Sequence, residues 1–361
     1  MRRLTVRTTS RTYPILVGRD VLARLGPEVR RLCGDGQVVI LCDENVAPLY
    51  LEAAGKSLRG AGLTVSHVIL PAGEREKSLA RAEELYGVLY DRGLRRSDTL
   101  VALGGGVIGD LGGFVASTYQ RGCGFVQAPT TLLAQVDASV GGKVAVDFRA
   151  GKNYVGTFYQ PSLVLADLRV LRSLPVRELR CGAAEVAKHG LLAGGEVLAR
   201  VRRFARGQLS SGAVTQELVA DSIAYKAAVV ERDERESGLR AVLNFGHTIG
   251  HAIEAATAFR RWSHGEAVAL GLHGALRLSG ELAGLREADE RAAHELLDGL
   301  GLPVRLTGAG ADDVCGLIAR DKKAGPEGVG YVLLRRPGSP VLGVRVPPAL
   351  ELEVVEWLRQ R

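Results

Sequence analysis

Three short apolar runs, residues 38–42, 99–103 and 125–128, and one alternating run, 63–70, punctuate the first third of the chain, and a helical stretch at 78–92 falls between them. Each run ends on a turn signal: Asp43-Glu44-Asn45, Pro71-Ala72-Gly73, Gly104-Gly105-Gly106 and Pro129-Thr130-Thr131. Apolar runs this short read as buried strands, and strands separated by helices return in the same direction. A largely parallel, helix-covered sheet follows. Residues 4–17 read as a hairpin-like pair of edge strands ahead of it. After about residue 166 the texture changes. Helical periodicity runs through 176–192, 195–205, 214–232, 241–258, 265–283 and 287–300, and strand signals nearly vanish until 330–334. The expected architecture is an α/β domain over 1–165 and a mainly α-helical domain over 166–361, with the site in the cleft between them. A length of 361 residues suits two domains.

The run at 99–103 meets Gly104-Gly105-Gly106-Val107-Ile108-Gly109-Asp110, a Gly-x-Gly-x-x-Gly turn ahead of a helix. Glycines let the backbone approach a pyrophosphate, and the helix start supplies free N–H groups. The turn is atypical. Two strands precede it, and no acid ends a strand about 20 residues later. The acid suited to a ribose stands upstream, at Asp43-Glu44-Asn45. The pattern is that of a variant dinucleotide fold.

Lysine is rare: of 47 basic residues only eight are lysine, at 56, 77, 143, 152, 188, 226, 322 and 323. Where arginine serves for general charge, a lysine that remains marks a need for an ammonium. Gly141-Gly142-Lys143 and Gly151-Lys152-Asn153 each set a lysine beside permissive backbone, suited to gripping phosphate. The spacing of a Walker P-loop is absent. Glu185 and Lys188 are three apart in a helix among small apolar residues, which argues against a solvated ion pair. His189 is assigned to another face and a structural role.

His247 and His251 lie one helical turn apart, and His264 follows 17 residues after His247 (264 − 247). Three of seven histidines cluster in a chain without paired metal-binding cysteines. Imidazoles on adjacent helices, completed by a carboxylate such as Glu185, hold a divalent metal in an open site. Spacing alone makes His247 and His251 the ligand pair. Thr248 follows His247, so the His-Glu-x-x-His protease arrangement is excluded.

Other classes fall away on composition. No apolar run approaches the roughly 20 residues of a membrane span, and the start of the chain lacks a signal-peptide core. The cytoplasm is the expected location. Five scattered cysteines, at 33, 42, 123, 181 and 315, read as reduced thiols. The net charge of +7 is spread along the chain and interleaved with acids, so it suits a small anionic substrate rather than nucleic acid.

Taken together these motifs resemble the 3-dehydroquinate synthase family of sugar phosphate cyclases. The likeness runs from Asp43 to Lys323, through 104–110, 119–143, 151–161, 178–190, 233–254 and 264–269. It implies a Rossmann-like first domain, a helical second domain and a homodimer. It implies NAD and a divalent metal, Zn²⁺ or Co²⁺, as cofactors. Carried over residue by residue, the metal ligands are Glu185, His247 and His264, and His251 becomes a substrate-side residue. The implied NAD contacts are Asp43, Asn45, Glu74, Lys77, Gly104, Gly105, Gly106, Asp110, Thr130 and Thr131, with Asp137, Lys143 and Lys152 shared with the substrate. The implied substrate set adds Arg121, Asn153, Lys188, Lys226, Arg240, Asn244, His251 and Lys322 or Lys323, with Arg121 reaching across the dimer.

The implied reaction belongs to the shikimate pathway. A seven-carbon keto-acid sugar phosphate is transiently oxidised, loses phosphate by β-elimination, is reduced again and closes by an intramolecular aldol step. A carboxylate and a phosphate on one substrate suit a site rich in lysine and arginine. One departure stands out: Cys181, four residues before Glu185, occupies a place where Asn or Ser is common near the nucleotide. The rivals are cyclases whose substrates lack a carboxylate, polyol dehydrogenases and a non-catalytic NAD-binding regulator. Arg240 with Asp321-Lys322-Lys323, the number of cations, and the intact metal set argue against each in turn.

Overall fold

The computed structural model describes residues 1–149, 151–207, 209–320 and 329–361. In chain order the first elements are β1 (Arg2–Arg7), β2 (Thr12–Gly18), α1 (Leu25–Cys33), β3 (Gln37–Asp43), α2 (Glu52–Gly60), β4 (Thr64–Leu70) and α3 (Leu79–Asp91). Next come β5 (Thr99–Gly104), α4 (Gly106–Thr118), β6 (Gly124–Pro129), β7 (Lys143–Phe148), β8 (Gly151–Phe158) and β9 (Leu163–Asp167). Then follow α5 (Val176–Ala193), α6 (Gly195–Arg206), α7 (Gln216–Arg232), α8 (His247–Ala256), α9 (His264–Ala283), α10 (Glu287–Gly299) and α11 (Ala311–Ala319). The chain ends in β10 (Gly330–Arg336), β11 (Ser339–Arg345) and α12 (Pro348–Gln360). None of the described helices is long and apolar enough to cross a membrane.

The chain packs as two compact units. One is Met1–Leu174 with Thr215–Arg235; the other is Pro175–Val214 with Glu236–Arg361. The expected single division at 165/166 differs from this in two places. The β-rich unit runs nine residues further (174 − 165), and α7, read as part of the helical domain, packs with the α/β unit. Its location follows from its partners. Glu231 accepts a hydrogen bond from the Arg7 N–H at 2.7 Å, Asp221 pairs with Arg2 at 3.1 Å, and Lys226 reaches Asp137.

The α/β unit is built on a seven-stranded sheet of order β1-β2-β9-β6-β5-β3-β4. Only β1–β2 is antiparallel; the other five pairings are parallel. Alternate residues of a strand face opposite sides. Val39 and Leu41 of β3 therefore join Leu100, Ala102, Leu111 and Phe125 in one core, while Val38, Ile40 and Cys42 join Val101, Leu103 and Val126 in another. Helices α3 and α4 supply the first core, and α1 and α2 the second. With both faces covered, β3, β5 and β6 are apolar without alternation, which is why they are legible as continuous runs, whereas the edge strand β4 alternates.

The helical unit centres on α9, which packs against α5, α8, α10, α12 and β10. The stretch 241–258, expected as one helix, is broken. Gly246 adopts φ +79°, and a Cβ there would lie 2.8 Å from the Leu272 backbone nitrogen. A short 3-10 turn at Leu239–Asn244 precedes this break and α8 follows it. Gly246 thus places His247 at the first position of α8.

Candidate metal and nucleotide sites

In the helical unit, three elements converge on one set of ligand atoms. Glu185 lies on α5, His247 at the start of α8 and His264 at the start of α9. Glu185 Oε1 is 3.4 Å from His247 Nε2 and 3.8 Å from His264 Nε2. One ligand atom from each residue lies within 4.8 Å of the other two.

The starts of both histidine-bearing helices are fixed. Glu266 accepts the Ser263 N–H at 2.8 Å and is gripped by Arg177, Nη2 to Oε2 2.7 Å, which sets the first turn of α9. Close approach of α9 to α5 depends on Gly265. A Cβ there would sit 2.2 Å from the Cys181 carbonyl oxygen.

The second nitrogen of each imidazole is already engaged. His247 Nδ1 lies 3.2 Å from the Phe245 carbonyl, and His264 Nδ1 lies 3.3 Å from Glu254 Oε2. A backbone carbonyl and a carboxylate require Nδ1–H, so in the neutral rings the lone pair sits on Nε2. Glu185 is fully buried, and its Oε1 accepts no hydrogen bond. Two lone pairs and an orphaned carboxylate oxygen facing one another are what a cation reconciles. His247 is held neutral, with its pKa well below the usual value, first by burial and then by the positive charge of Lys188. A neutral imidazole is the ligand form.

Lys188 pairs with the other Glu185 oxygen, Oε2, and both side chains are buried. His189 does not point away as expected. At four residues from Glu185 it is only about 40° around the helix, and its Nε2 lies 4.0 Å from Oε2. His251 is exposed, with its ring 5.2 Å from that of His247. It forms a second possible group with Glu254 and His264. Arg240 is 2% exposed in the Leu239–Asn244 turn, and Asn244 donates to Glu236 at 3.4 Å. Lys322 and Lys323 lie outside the described residues.

In the α/β unit the sheet register aligns the nucleotide candidates. Leu41 pairs with Ala102, and Gly104 with Pro129. Asp43, Gly104 to Gly106, and Thr130 with Thr131 therefore leave the sheet at one edge, the carboxyl end of β3, β5 and β6. Ligands bind at that edge in open parallel sheets. Asp43 Oδ1 accepts the N–H groups of Asn45 at 2.9 Å and Val46 at 3.1 Å, which folds this turn. Glu74 is exposed on the short turn after β4.

Lys77 is 4% exposed and bonds both Asp110 and Asn153 Oδ1. Burial alone would lower its pKa, but Asp110 and then Glu74 lift it above the usual value. Lys226 of α7 bonds the Asp137 carboxylate and carbonyl, each at 2.7 Å. Lys143 opens β7 and Lys152 sits on β8, so the two glycine-lysine motifs belong to a β-hairpin. Arg121 is exposed at φ +63°, directly after Gln120 at +50°.

Cys181 has a definite role in the helical unit: its Sγ accepts the Gly265 N–H at 3.1 Å. Burial pushes its thiol up to about 11, so it is unreactive. Two side chains went unassigned in the sequence, Glu236 and Glu254. Glu254 stands seven residues after His247, and that spacing was the available signal.

The chain is similar to known proteins along most of its length. The 3-dehydroquinate synthase N-terminal family pattern matches residues 67–181, and the C-terminal pattern matches 182–324. A 3-dehydroquinate synthase from Symbiobacterium thermophilum is 47% identical over 96% of this chain and 96% of its own length. Among solved structures, 2-deoxy-scyllo-inosose synthase complexed with carbaglucose-6-phosphate, NAD⁺ and Co²⁺ matches with a TM-score of 0.87. Its identity is 26%, over 98% of this chain and 99% of that one. The 2-epi-5-epi-valiolone synthase of Streptomyces hygroscopicus, with NAD⁺ and Zn²⁺ bound, gives 0.88 at 26% identity, over 100% of this chain and 99% of that one. With both family patterns matched in succession, the chain belongs to the 3-dehydroquinate synthase family.

Proposed function

We propose that this protein is a 3-dehydroquinate synthase, a carbon–oxygen lyase that converts 3-deoxy-D-arabino-heptulosonate 7-phosphate to 3-dehydroquinate and phosphate. The observation that carries this reading is the Glu185, His247 and His264 cluster, with its orphaned Oε1, in a chain 47% identical to a protein of that name. The solved relatives named above are cyclases at 26% identity, so their substrates are the weaker guide.

When bound, NAD⁺ would supply reversible hydride transfer and Zn²⁺ or Co²⁺ would supply a Lewis acid for a substrate hydroxyl. Glu185, His247 and His264 would hold the metal. Asp43, Asn45, Glu74, Lys77, Gly104, Gly105, Gly106, Asp110, Thr130 and Thr131 would hold the nucleotide. Lys143, Lys152, Asn153, Asp137, Lys226, Lys188, Arg240, Asn244 and His251 would serve the substrate. Their cations match its phosphate and carboxylate. Among the described residues no side chain stands out as a strong base, which fits a substrate phosphate that accepts the proton during its own elimination. Orientation then governs ring closure, where holding one conformer is the main contribution. The exposed guanidinium of Arg121, on its left-handed backbone, suits a residue offered to a second copy in a homodimer.

The test is phosphate release. Purified protein with Zn²⁺ or Co²⁺ and NAD⁺ should release phosphate from the heptulosonate phosphate and form dehydroquinate; no release under those conditions overturns the reading. In parallel, His247→Ala should lose the metal. His251→Ala should keep it and lower turnover by on the order of 10²-fold, as measured by metal content and kcat.

A further inference from the structure

Glu254 has no role in the reading above, yet it is built into the same cluster. It is 3% exposed, and its Oε2 lies 3.3 Å from His264 Nδ1. On α8 it stands seven residues after His247, two turns along the same face. The carboxylate that meets the ligand of α9 therefore comes from the helix that carries the ligand of α8. Its backbone is committed too. The Glu254 carbonyl accepts the Phe259 N–H at 2.8 Å, closing a turn in which Ala258 and Phe259 take φ of +51° and +57°. Non-glycine residues hold that conformation only when their surroundings over-determine it.

An imidazole that donates Nδ1–H to a carboxylate keeps its lone pair on Nε2. The partner also fixes the ring and raises its basicity as a ligand. Nε2 of His264 faces Glu185 Oε1 at 3.8 Å, so the selected tautomer is the one the cluster needs. We propose that Glu254 is a positioning residue for the metal, orienting His264 and placing a buried negative charge beside the cation. The inference rests on Glu185, His247 and His264 being the ligand set. The alternative group of His251, Glu254 and His264 would make Glu254 a ligand. Its His251 is exposed, and its Glu254 oxygen is already engaged by His264 Nδ1.

The experiment is a Zn²⁺ titration of metal-stripped protein against a chromophoric chelator, with visible spectra of the Co²⁺ forms. The parent is compared with Glu254→Gln, Glu254→Ala, His247→Ala and His251→Ala. Glu254→Gln should bind one Zn²⁺ about 10-fold more weakly, and Glu254→Ala up to about 100-fold more weakly. The Co²⁺ spectrum should shift in both, and His251→Ala should match the parent. If His247→Ala loses the metal but both Glu254 variants bind at parental affinity, the positioning role is wrong and the ligand set stands. If His247→Ala keeps one Zn²⁺ while Glu254→Gln holds none, the ligand set itself is wrong. Melting of the zinc-free variants separates fold from site. A destabilised Glu254→Ala, together with a Glu254→Gln that equals the parent in both melting and zinc affinity, assigns Glu254 to packing and overturns the proposal.

Discussion

Two buried glutamates meet opposite fates in this chain. Glu234, just after α7, accepts from the Ser10 N–H at 3.1 Å and Gln160 Nε2 at 2.9 Å, and from the hydroxyls of Thr9 and Ser10. Burial works to raise its pKa, but these donors outweigh burial and bring it down to about 2, from an ordinary value of 4.5. A depressed carboxylate stabilises the fold fully above its unfolded pKa and loses that contribution as pH falls through its folded one. The window is therefore about pH 4.5 to 2. Glu234→Gln should cost about 1–3 kcal/mol at pH 7 and flatten the acid limb of the unfolding curve; an unchanged acid limb in urea titrations from pH 7 to 2 would remove this role. Glu185 has the reverse surroundings, with Oε1 left without a donor. That Glu185 could complete a histidine group was legible from its residue type and small apolar neighbours, but spacing alone chose His247 and His251, and the pairing with His264 came from the family resemblance. The donors to Glu234 lie more than 70 residues away in sequence, at Thr9, Ser10 and Gln160, so no local pattern announces them.

At the scale of elements, the metal cluster depends on how closely α9 approaches α5. The Gly265→Ala side chain would meet Cys181 backbone atoms at 2.2 and 2.5 Å. Backbone cannot yield as a side-chain tip does, so the helices must separate. The expected loss is about 1–3 kcal/mol of stability with weakened Zn²⁺ retention, because His264 is the adjacent residue. Melting and metal content together check it; a variant with parental values in both would show that the gap closes freely. The buried parallel strands were readable because apolar runs and glycine turns mark them. The β7–β8 hairpin was not, since Lys143, Asp147 and Lys152 interrupt any apolar alternation. Nor was the break before His247, where a left-handed glycine interrupts a periodicity that continues on both sides.

For the whole molecule, the proposed metal ligands Glu185, His247 and His264 belong to one unit and the nucleotide candidates to the other. Each ligand should therefore stabilise the protein without the other present. At a free concentration 100 times its Kd a ligand adds about 2.7 kcal/mol, equivalent to about 5–10 °C for units of this size. Calorimetry should show such a rise with Zn²⁺ alone and with NAD⁺ alone, and His247→Ala should abolish only the first. Loss of both shifts in that variant would contradict the assignment. The broad order, a parallel α/β portion and then helices, was legible from the change in texture near residue 166. The destination of α7 was not, because an amphipathic helix carries no mark of which sheet or bundle its apolar face will meet.

That return of α7 sets an order of events during synthesis. Residues 1–174 leave the ribosome as a sheet whose β1–β2 edge and Asp137 lack their helix partner. Forty residues of the other unit (175–214) must emerge before Thr215–Arg235 arrives to cover them. Domain-by-domain folding from the N-terminus is thus interrupted. No contiguous cut of the chain yields the α/β unit both complete and free of the other unit, so a fragment ending at 174 exposes the face that Arg2, Arg7 and Asp137 would otherwise share with α7.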